Sequence, residues 1–192
     1  MISTLNKNTN LIDLVKVYKS IPEKVCNNVI KRSSTFSWEK HQWSGYNSTH
    51  TQNNNDAEFL RSSMDPLSKL ELYPKINDIF GQYIEDVSSS YMFKIEGFSP
   101  PLLNRYDIGT KMSLHQDHIY SLFNGTVKGI PILSAVGLLN NDFEGGEFVL
   151  WGDEIIKLDT GDIIVFPSLF AYPHHVNTVT KGSRYSVVSW AH

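Results

Sequence analysis

Apolar and polar residues change their spacing near Gly97, and the change divides the chain into two unlike halves. Before it, apolar residues recur mainly at helical intervals. Leu14-Val15-Lys16-Val17-Tyr18 reads as a short strand. Ser20-Ile21-Pro22-Glu23 then has the form of a capping box opening a helix with Ile21, Val25 and Val29 on one face. Residues 34 to 56 are polar and irregular, with Trp38 and Trp43 ahead of Asn53-Asn54-Asn55-Asp56, the pattern of a mobile loop or a hairpin. A second helix is predicted to begin near Asp65-Pro66, with Ile76, Ile79, Phe80, Tyr83, Ile84 and Val87 as its core-facing stripe. After Gly97 the apolar runs are short and broken by Gly, Pro and Asp. They predict strands over 102–106, 111–117, 132–139, 147–151, 154–158, 162–166 and 183–190. Closely spaced strands joined by turn residues imply an antiparallel sandwich or barrel, mainly β with N-terminal helices.

Composition narrows this picture. At 192 residues the chain reads as a single domain over 1–192, with 1–97 as mostly helical support and 98–192 as the sheet-rich core. A hydrophobic content of 41% excludes a disordered chain. No apolar run approaches the ~20 residues of a membrane span, so no membrane partner is expected. Residues Met1 to Asn8 lack the apolar core of an export signal. Cys26 stands alone, which excludes intramolecular disulfides and suits a reducing, cytoplasmic location. A net charge of −3 argues against nucleic acid as a partner, and Arg105, Lys111 and Lys128 are too few for a basic patch. The oligomeric state is not legible.

Chemistry concentrates in the second half. His115-Gln116-Asp117 places a His and an Asp two positions apart, on one face if the segment is a strand. Alone the triplet is a weak signal. A second His from a distant strand would complete a two-His, one-carboxylate face, which leaves three adjacent positions open on Fe(II). His174 and His175 are adjacent and would point to opposite faces, so spacing alone leaves the distal ligand open. Arg184, on the last predicted strand, offers a planar guanidinium suited to gripping a carboxylate with two prongs.

The surroundings make the pattern specific. Asn104-Arg105-Tyr106-Asp107-Ile108-Gly109 lies upstream, and Glu144-Gly145-Gly146-Glu147-Phe148 and Asp159-Thr160-Gly161-Asp162 lie downstream. Pro173-His174-His175-Val176 through Lys181-Gly182-Ser183-Arg184-Tyr185-Ser186 closes the series. In this order the motifs resemble the prolyl 4-hydroxylase branch of the 2-oxoglutarate/Fe(II) dioxygenase superfamily, over about residues 98 to 192. The resemblance implies a double-stranded β-helix, the jelly-roll or cupin-like fold, whose mouth holds the metal. It makes His115, Asp117 and His174 the ligands, because the family's distal His stands two residues before a Val and ten before the Arg. Arg184 becomes the anchor for the distal carboxylate of 2-oxoglutarate. Tyr106, opening Tyr-x-x-Gly, would reach toward the co-substrate, and Ser186, in Arg-x-Ser, would add a hydroxyl to the same carboxylate. No catalytic side chain is implied beyond the metal centre.

The implied cofactors are Fe(II), 2-oxoglutarate and O2, with ascorbate as an accessory reductant. The implied reaction hydroxylates an unactivated C–H bond, giving succinate and CO2, first of all on a peptidyl proline. A free amino acid or another small molecule is the alternative substrate. A non-catalytic, cupin-like metal-binding module is the alternative of another class, and it would have no need of Arg184. Residues 119–131, with Tyr120 and Phe123 as contact residues, read together with 34–56 as a lid over substrate. Gly145 and Gly146 read as backbone-enabling residues. Two departures stand out: Thr178 where the family commonly has Pro, and small residues in Leu133-Ser134-Ala135-Val136-Gly137, which suggest a differently shaped pocket.

Overall fold

Strand Leu133–Leu138 is buried along its whole length, and the architecture is built around it. A computed structural model describes residues 9–41, 43–44, 51–52, 58–87, 95–117 and 131–192. Leu133–Leu138 lies in a seven-stranded antiparallel sheet whose order is Lys16–Lys19, Asp162–Pro167, Leu133–Leu138, Arg184–Ala191, Leu102–Tyr106, Leu60–Ser63 and Glu39–Lys40. A four-stranded sheet, in the order Glu154–Ile156, Phe148–Leu150, His174–Val176 and Met112–His115, covers one face of it. Val179–Lys181 pairs with Glu144–Gly145, and Trp43–Ser44 with Thr51–Gln52. This is the double-stranded β-helix the resemblance implies.

Period-two alternation sorts the large sheet into two cores. Ile163, Val165, Val187 and Ala191 point to the helices, whereas Ile164, Phe166, Val136 and Val188 point into the space between the sheets. Helix α1 is Glu23–Ser33 and helix α2 is Pro66–Val87. In α2 the buried positions are Ser68, Leu72, Ile76, Ile79, Phe80, Tyr83 and Val87, which recovers the predicted stripe. Each large apolar member contributes roughly 1.5–3 kcal/mol by leaving water, as an upper estimate. The Asp65 carboxylate starts this helix by accepting the N–H groups of Leu67 at 2.9 Å and Ser68 at 3.2 Å.

The capping box predicted at Ser20 does not form. Helix α1 begins after Pro22, with no side-chain cap, because the N–H groups of Ser20 and Ile21 are taken by the carbonyl of Gly161 at 3.1 and 2.9 Å. A long-range turn contact displaces the local one. The first half, read as mainly helical, also supplies three of the seven strands of the large sheet. Leu60-Arg61-Ser62-Ser63 carries too few apolar residues to announce a strand, and its conformation comes from pairing with Leu102–Tyr106. Within the described part of 34–56, a pair of short antiparallel strands realises the hairpin alternative. Tyr120 and Phe123 lie outside the described residues.

Two of the small residues of Leu133–Leu138, Ala135 and Gly137, face the helices. A Cβ on Gly137 would stand 2.8 Å from Val187 Cγ1 and 3.2 Å from Ile21 Cδ1, on the helix side. Ala135 belongs to that same core, so these two positions set the approach of the helices and do not widen the pocket. Among the described residues, no helix is long and apolar enough to cross a membrane.

Candidate metal centre and co-substrate pocket

His115 ends the strand Met112–His115 and is paired directly with His174 of the neighbouring strand. Side chains of directly paired residues project to the same face, so this register brings the imidazoles together, with ring centroids 4.2 Å apart. Asp117, just past the strand end, sets Oδ1 at 3.4 Å from His115 Nε2 and Oδ2 at 3.8 Å from His174 Nε2. One ligand atom from each residue lies within 4.8 Å of the others, the one such group identified among the described residues. Two neutral imidazole nitrogens and one carboxylate oxygen on a single side are a donor set that fits Fe(II).

Hydrogen bonds orient these donors. His115 Nδ1 lies 2.9 Å from the carbonyl of Ser113, and His174 Nδ1 lies 3.1 Å from the carbonyl of Tyr172. A carbonyl only accepts, so Nδ1 must carry the proton in each ring and Nε2 keeps its lone pair for a metal. His174 is 2% exposed, between the rings of Phe148 and Phe166. That burial pushes it down from 6.5 to about 4, with Asp117 opposing, so the ring is neutral at physiological pH. Because the folded value is the lower one, protons favour the unfolded chain. The metal-free protein therefore loses stability as pH falls from about 6.5 toward 4.

Burial alone would raise the Asp117 carboxyl, but His174, His115 and Ser134 together outweigh it and hold it well below the usual carboxylate range. Ser134 Oγ donates to Asp117 Oδ2 at 2.7 Å and lies 2.6 Å from Ser168 Oγ. This serine pair fixes the carboxylate plane from beneath. Ser134→Ala is expected to weaken metal binding by about 10-fold or more while leaving all three donors in place. Competition against a chelating dye measures this, and an unchanged dissociation constant would contradict the orienting role.

Arg184 is 1% exposed, among the largest fully buried side chains of the described residues. Its Nη1 donates to Ser186 Oγ at 2.9 Å and its guanidinium lies 5.0 Å from the Tyr106 ring centroid. Nε is buried without an acceptor, and no carboxylate pairs with Arg184 among the described residues. Burial lowers its pKa from the ordinary value and Tyr106 opposes this, yet a guanidinium stays charged. Tyr106 is sealed as well. Burial pushes its hydroxyl up to about 12, with Arg184 and Arg61 opposing, so it remains an O–H donor, and it has no acceptor of acceptable geometry. A buried cation and a buried hydroxyl, both short of acceptors, are the complement of an incoming carboxylate.

Register explains the grouping, because Arg184 is paired with Tyr106 and Ser186 with Asn104 across adjacent strands. Gly146 provides the room. It takes a positive φ of 66°, and a Cβ there would stand 3.0 Å from Arg184 Cδ. Gly145, at φ 72°, would bring a Cβ to 2.2 Å from the Thr178 carbonyl oxygen.

The structure thus brings together His115, Asp117 and His174 on one side, and Arg184, Ser186 and Tyr106 on the other. His175 faces away, with Nε2 at 3.1 Å from Asn177 Oδ1. Sequence reasoning passed over Ser134, which carries no motif, and His41, stacked on Phe59 at 4.7 Å. Phe59 in turn stacks on Tyr106 at 4.8 Å, so an aromatic column leads from His41 to the co-substrate pocket.

Fold and site define a double-stranded β-helix protein with a two-His, one-carboxylate cluster at its mouth. Residues 101–192 match the family model described as the 2OG-Fe(II) oxygenase superfamily. A PKHD-type hydroxylase of Psychrobacter sp. (strain PRwf-1) is 37% identical over 97 residues, covering 47% of this chain and 37% of that protein. A PKHD-type hydroxylase of Idiomarina loihiensis is 41% identical over 91 residues, covering 46% and 39%. The chain therefore spans about two fifths of the length of these curated relatives.

Solved structures extend the likeness of fold over nearly all of the chain. A prolyl hydroxylase from Trichoplax adhaerens, in complex with a hypoxia inducible factor peptide fragment, has a TM-score of 0.65 at 16% identity, covering 93% of this chain and 83% of that one. A prolyl-4-hydroxylase from Pseudomonas putida has a TM-score of 0.61 at 17% identity, covering 92% and 91%.

Proposed function

We propose that this protein is an Fe(II)- and 2-oxoglutarate-dependent dioxygenase that hydroxylates an unactivated C–H bond, with a peptidyl proline as the first substrate class. The observation that carries the proposal is Arg184, a buried guanidinium with no acid partner among the described residues, in a protein that also holds a cluster of metal-binding donors. A metal-binding module with no co-substrate has no use for such a group, which costs several kcal/mol to bury unpaired. The hydroxylase names of the relatives and the shared fold support the same reading.

In this reading His115, Asp117 and His174 hold iron through Nε2, a carboxylate oxygen and Nε2. Arg184 and Ser186 hold the distal carboxylate of 2-oxoglutarate, and the Tyr106 hydroxyl donates a hydrogen bond to that carboxylate. Iron supplies the activation of O2 that this oxidation requires. One oxygen atom enters the substrate as a hydroxyl, and the other enters succinate as 2-oxoglutarate loses CO2, so the four-electron reduction of O2 is balanced by the two oxidations. The protein contributes position and exclusion of water. Ascorbate, as a reductant that restores iron after uncoupled turnover, and a cytoplasmic setting complete the proposal, together with organisation as one domain over 1–192.

The test is mass spectrometry of a peptide and metabolite library incubated with protein, Fe(II), ascorbate and 2-oxoglutarate. A product heavier by one oxygen is expected, with one succinate formed for each. Absence of both 2-oxoglutarate binding and succinate formation would instead favour the metal-binding module.

A further inference from the structure

A second guanidinium stands without an acid partner on the same face of the large sheet, and it opens onto a cavity. Arg61 is paired with Asn104 on the next strand, and Asn104 with Ser186 on the strand beyond. Directly paired residues share a face, so Arg61, Asn104, Ser186 and, two residues along, Arg184 all point between the sheets. With neighbouring strands ~4.8 Å apart, the Arg61 backbone lies ~10 Å from that of Ser186.

The side chain is held in place. Arg61 Nε donates to Asn104 Oδ1 at 3.3 Å, and Cζ lies 5.5 Å from the Phe59 ring centroid. These contacts fix the plane of the guanidinium and leave both Nη groups uncommitted. Glu39 lies directly opposite Arg61 in the register, yet the two form no ion pair, and no other carboxylate pairs with Arg61 among the described residues. The cavity it lines holds about 780 Å³, with Ser37, Glu39, His41, Ser63 and Leu102 around it. That is room for several residues of a peptide or for a whole small molecule. His41, on the same wall, stacks on Phe59 at 4.7 Å, and the Phe59 N–H donates at 3.1 Å to the carbonyl of Lys111, the residue just ahead of the strand that ends in His115.

We propose that Arg61 is the substrate anchor of this site and takes a carboxylate carried by the molecule to be hydroxylated. The assignment rests on the dioxygenase reading above and names its substrate class as anionic. Co-substrate and substrate are then each gripped by one guanidinium. Arg184, sealed against Tyr106 and Ser186, takes 2-oxoglutarate. Arg61, facing the wider cavity, takes the second acid. A planar fork with Nε already occupied presents its two terminal N–H groups side by side, the geometry of a bidentate carboxylate. The carboxylate can come from an Asp or Glu side chain of a peptide, from a peptide C-terminus or from a free amino acid, and the recognition chemistry is the same.

The test is equilibrium binding, without turnover, to protein loaded with Mn(II) and 2-oxoglutarate under anaerobic conditions. Three matched pairs of probes are compared: proline peptides flanked by Asp or by Asn, proline peptides ending in a free carboxylate or an amide, and L-proline or L-prolinamide. In at least one pair the acid is expected to bind wild type about 10-fold or more tightly than the amide, as for a charge-assisted bidentate contact. The pair that responds identifies the source of the carboxylate. In Arg61→Met that ratio is expected to collapse to about one, and in Arg61→Lys to recover in part, since an ammonium keeps the charge and loses the fork.

Acid and amide bound alike by wild type in all three pairs, or a ratio that persists in Arg61→Met, overturns the assignment. The ratio is taken within one protein sample, and Arg61→Lys provides the reading if Arg61→Met does not fold. Failure of the protein to form succinate would overturn the dioxygenase reading while the anion preference is still measured.

Discussion

Replacing His115, Asp117 or His174 by Ala is expected to abolish metal-dependent consumption of 2-oxoglutarate. The loss should exceed the ~10–100-fold that follows removal of a group merely hydrogen-bonded to a ligand. Three donors on one face leave no spare ligand. Asp117→Ala should be the most severe for metal affinity, because it removes the only negative charge of the set. His175→Ala is the control, since its ring is bonded to Asn177 on the far side of the strand and should keep most activity. Metal content after dialysis and succinate formation are the measurements. An active His174→Ala beside an inactive His175→Ala would reverse the assignment of the distal ligand.

The second large effect is expected at Arg184. Arg184→Ala should weaken 2-oxoglutarate by roughly thirty-fold or more, since truncating one partner of a buried charge pair costs about 2–5 kcal/mol. Metal binding should be nearly intact, because Arg184 contacts none of the three donors. Arg184→Lys should recover only part of the affinity. The ligand-free protein gives a second readout. There Arg184 is a desolvated charge whose polar contacts among the described residues are a serine hydroxyl and the face of a tyrosine. Arg184→Met fills a similar volume without a charge, so it should leave the ligand-free melting temperature unchanged or higher. Anaerobic calorimetric titration tests the first statement and thermal melting the second. Equal 2-oxoglutarate affinity in wild type and Arg184→Ala would place the carboxylate elsewhere.

Much of this site was legible in the residue order because its parts are local. His115 and Asp117 are two positions apart, and Arg184 and Ser186 are two apart on one strand, so period-two geometry joins each pair without knowledge of the fold. Seven strands of the second half were visible because each carries an apolar run that the two cores require, whereas Glu144–Gly145, His174–Val176 and Val179–Lys181 were not among the predicted strands. Leu60–Ser63 and Glu39–Lys40 were not visible either, since short strands of mostly polar residues take their conformation from a partner. Ser134 escaped notice for the same reason. A serine within an apolar strand has no chemistry until Asp117 arrives beside it.

The sequence by itself announced a mainly β fold with N-terminal helices and offered His115, Asp117 and a strand-borne Arg184 through spacing and residue type, while the choice of His174 and the role expected of Arg184 came from the resemblance. Tertiary structure alone decided that His174 meets His115 face to face, through the register of two strands distant in the chain. It decided that Arg184 and Tyr106 are sealed together, a property of burial that neither residue type implies. It also decided that Arg61 shares their face, because that depends on which strand lies at which position in the sheet. Local rules fix which groups are available, and only long-range pairing fixes which groups meet.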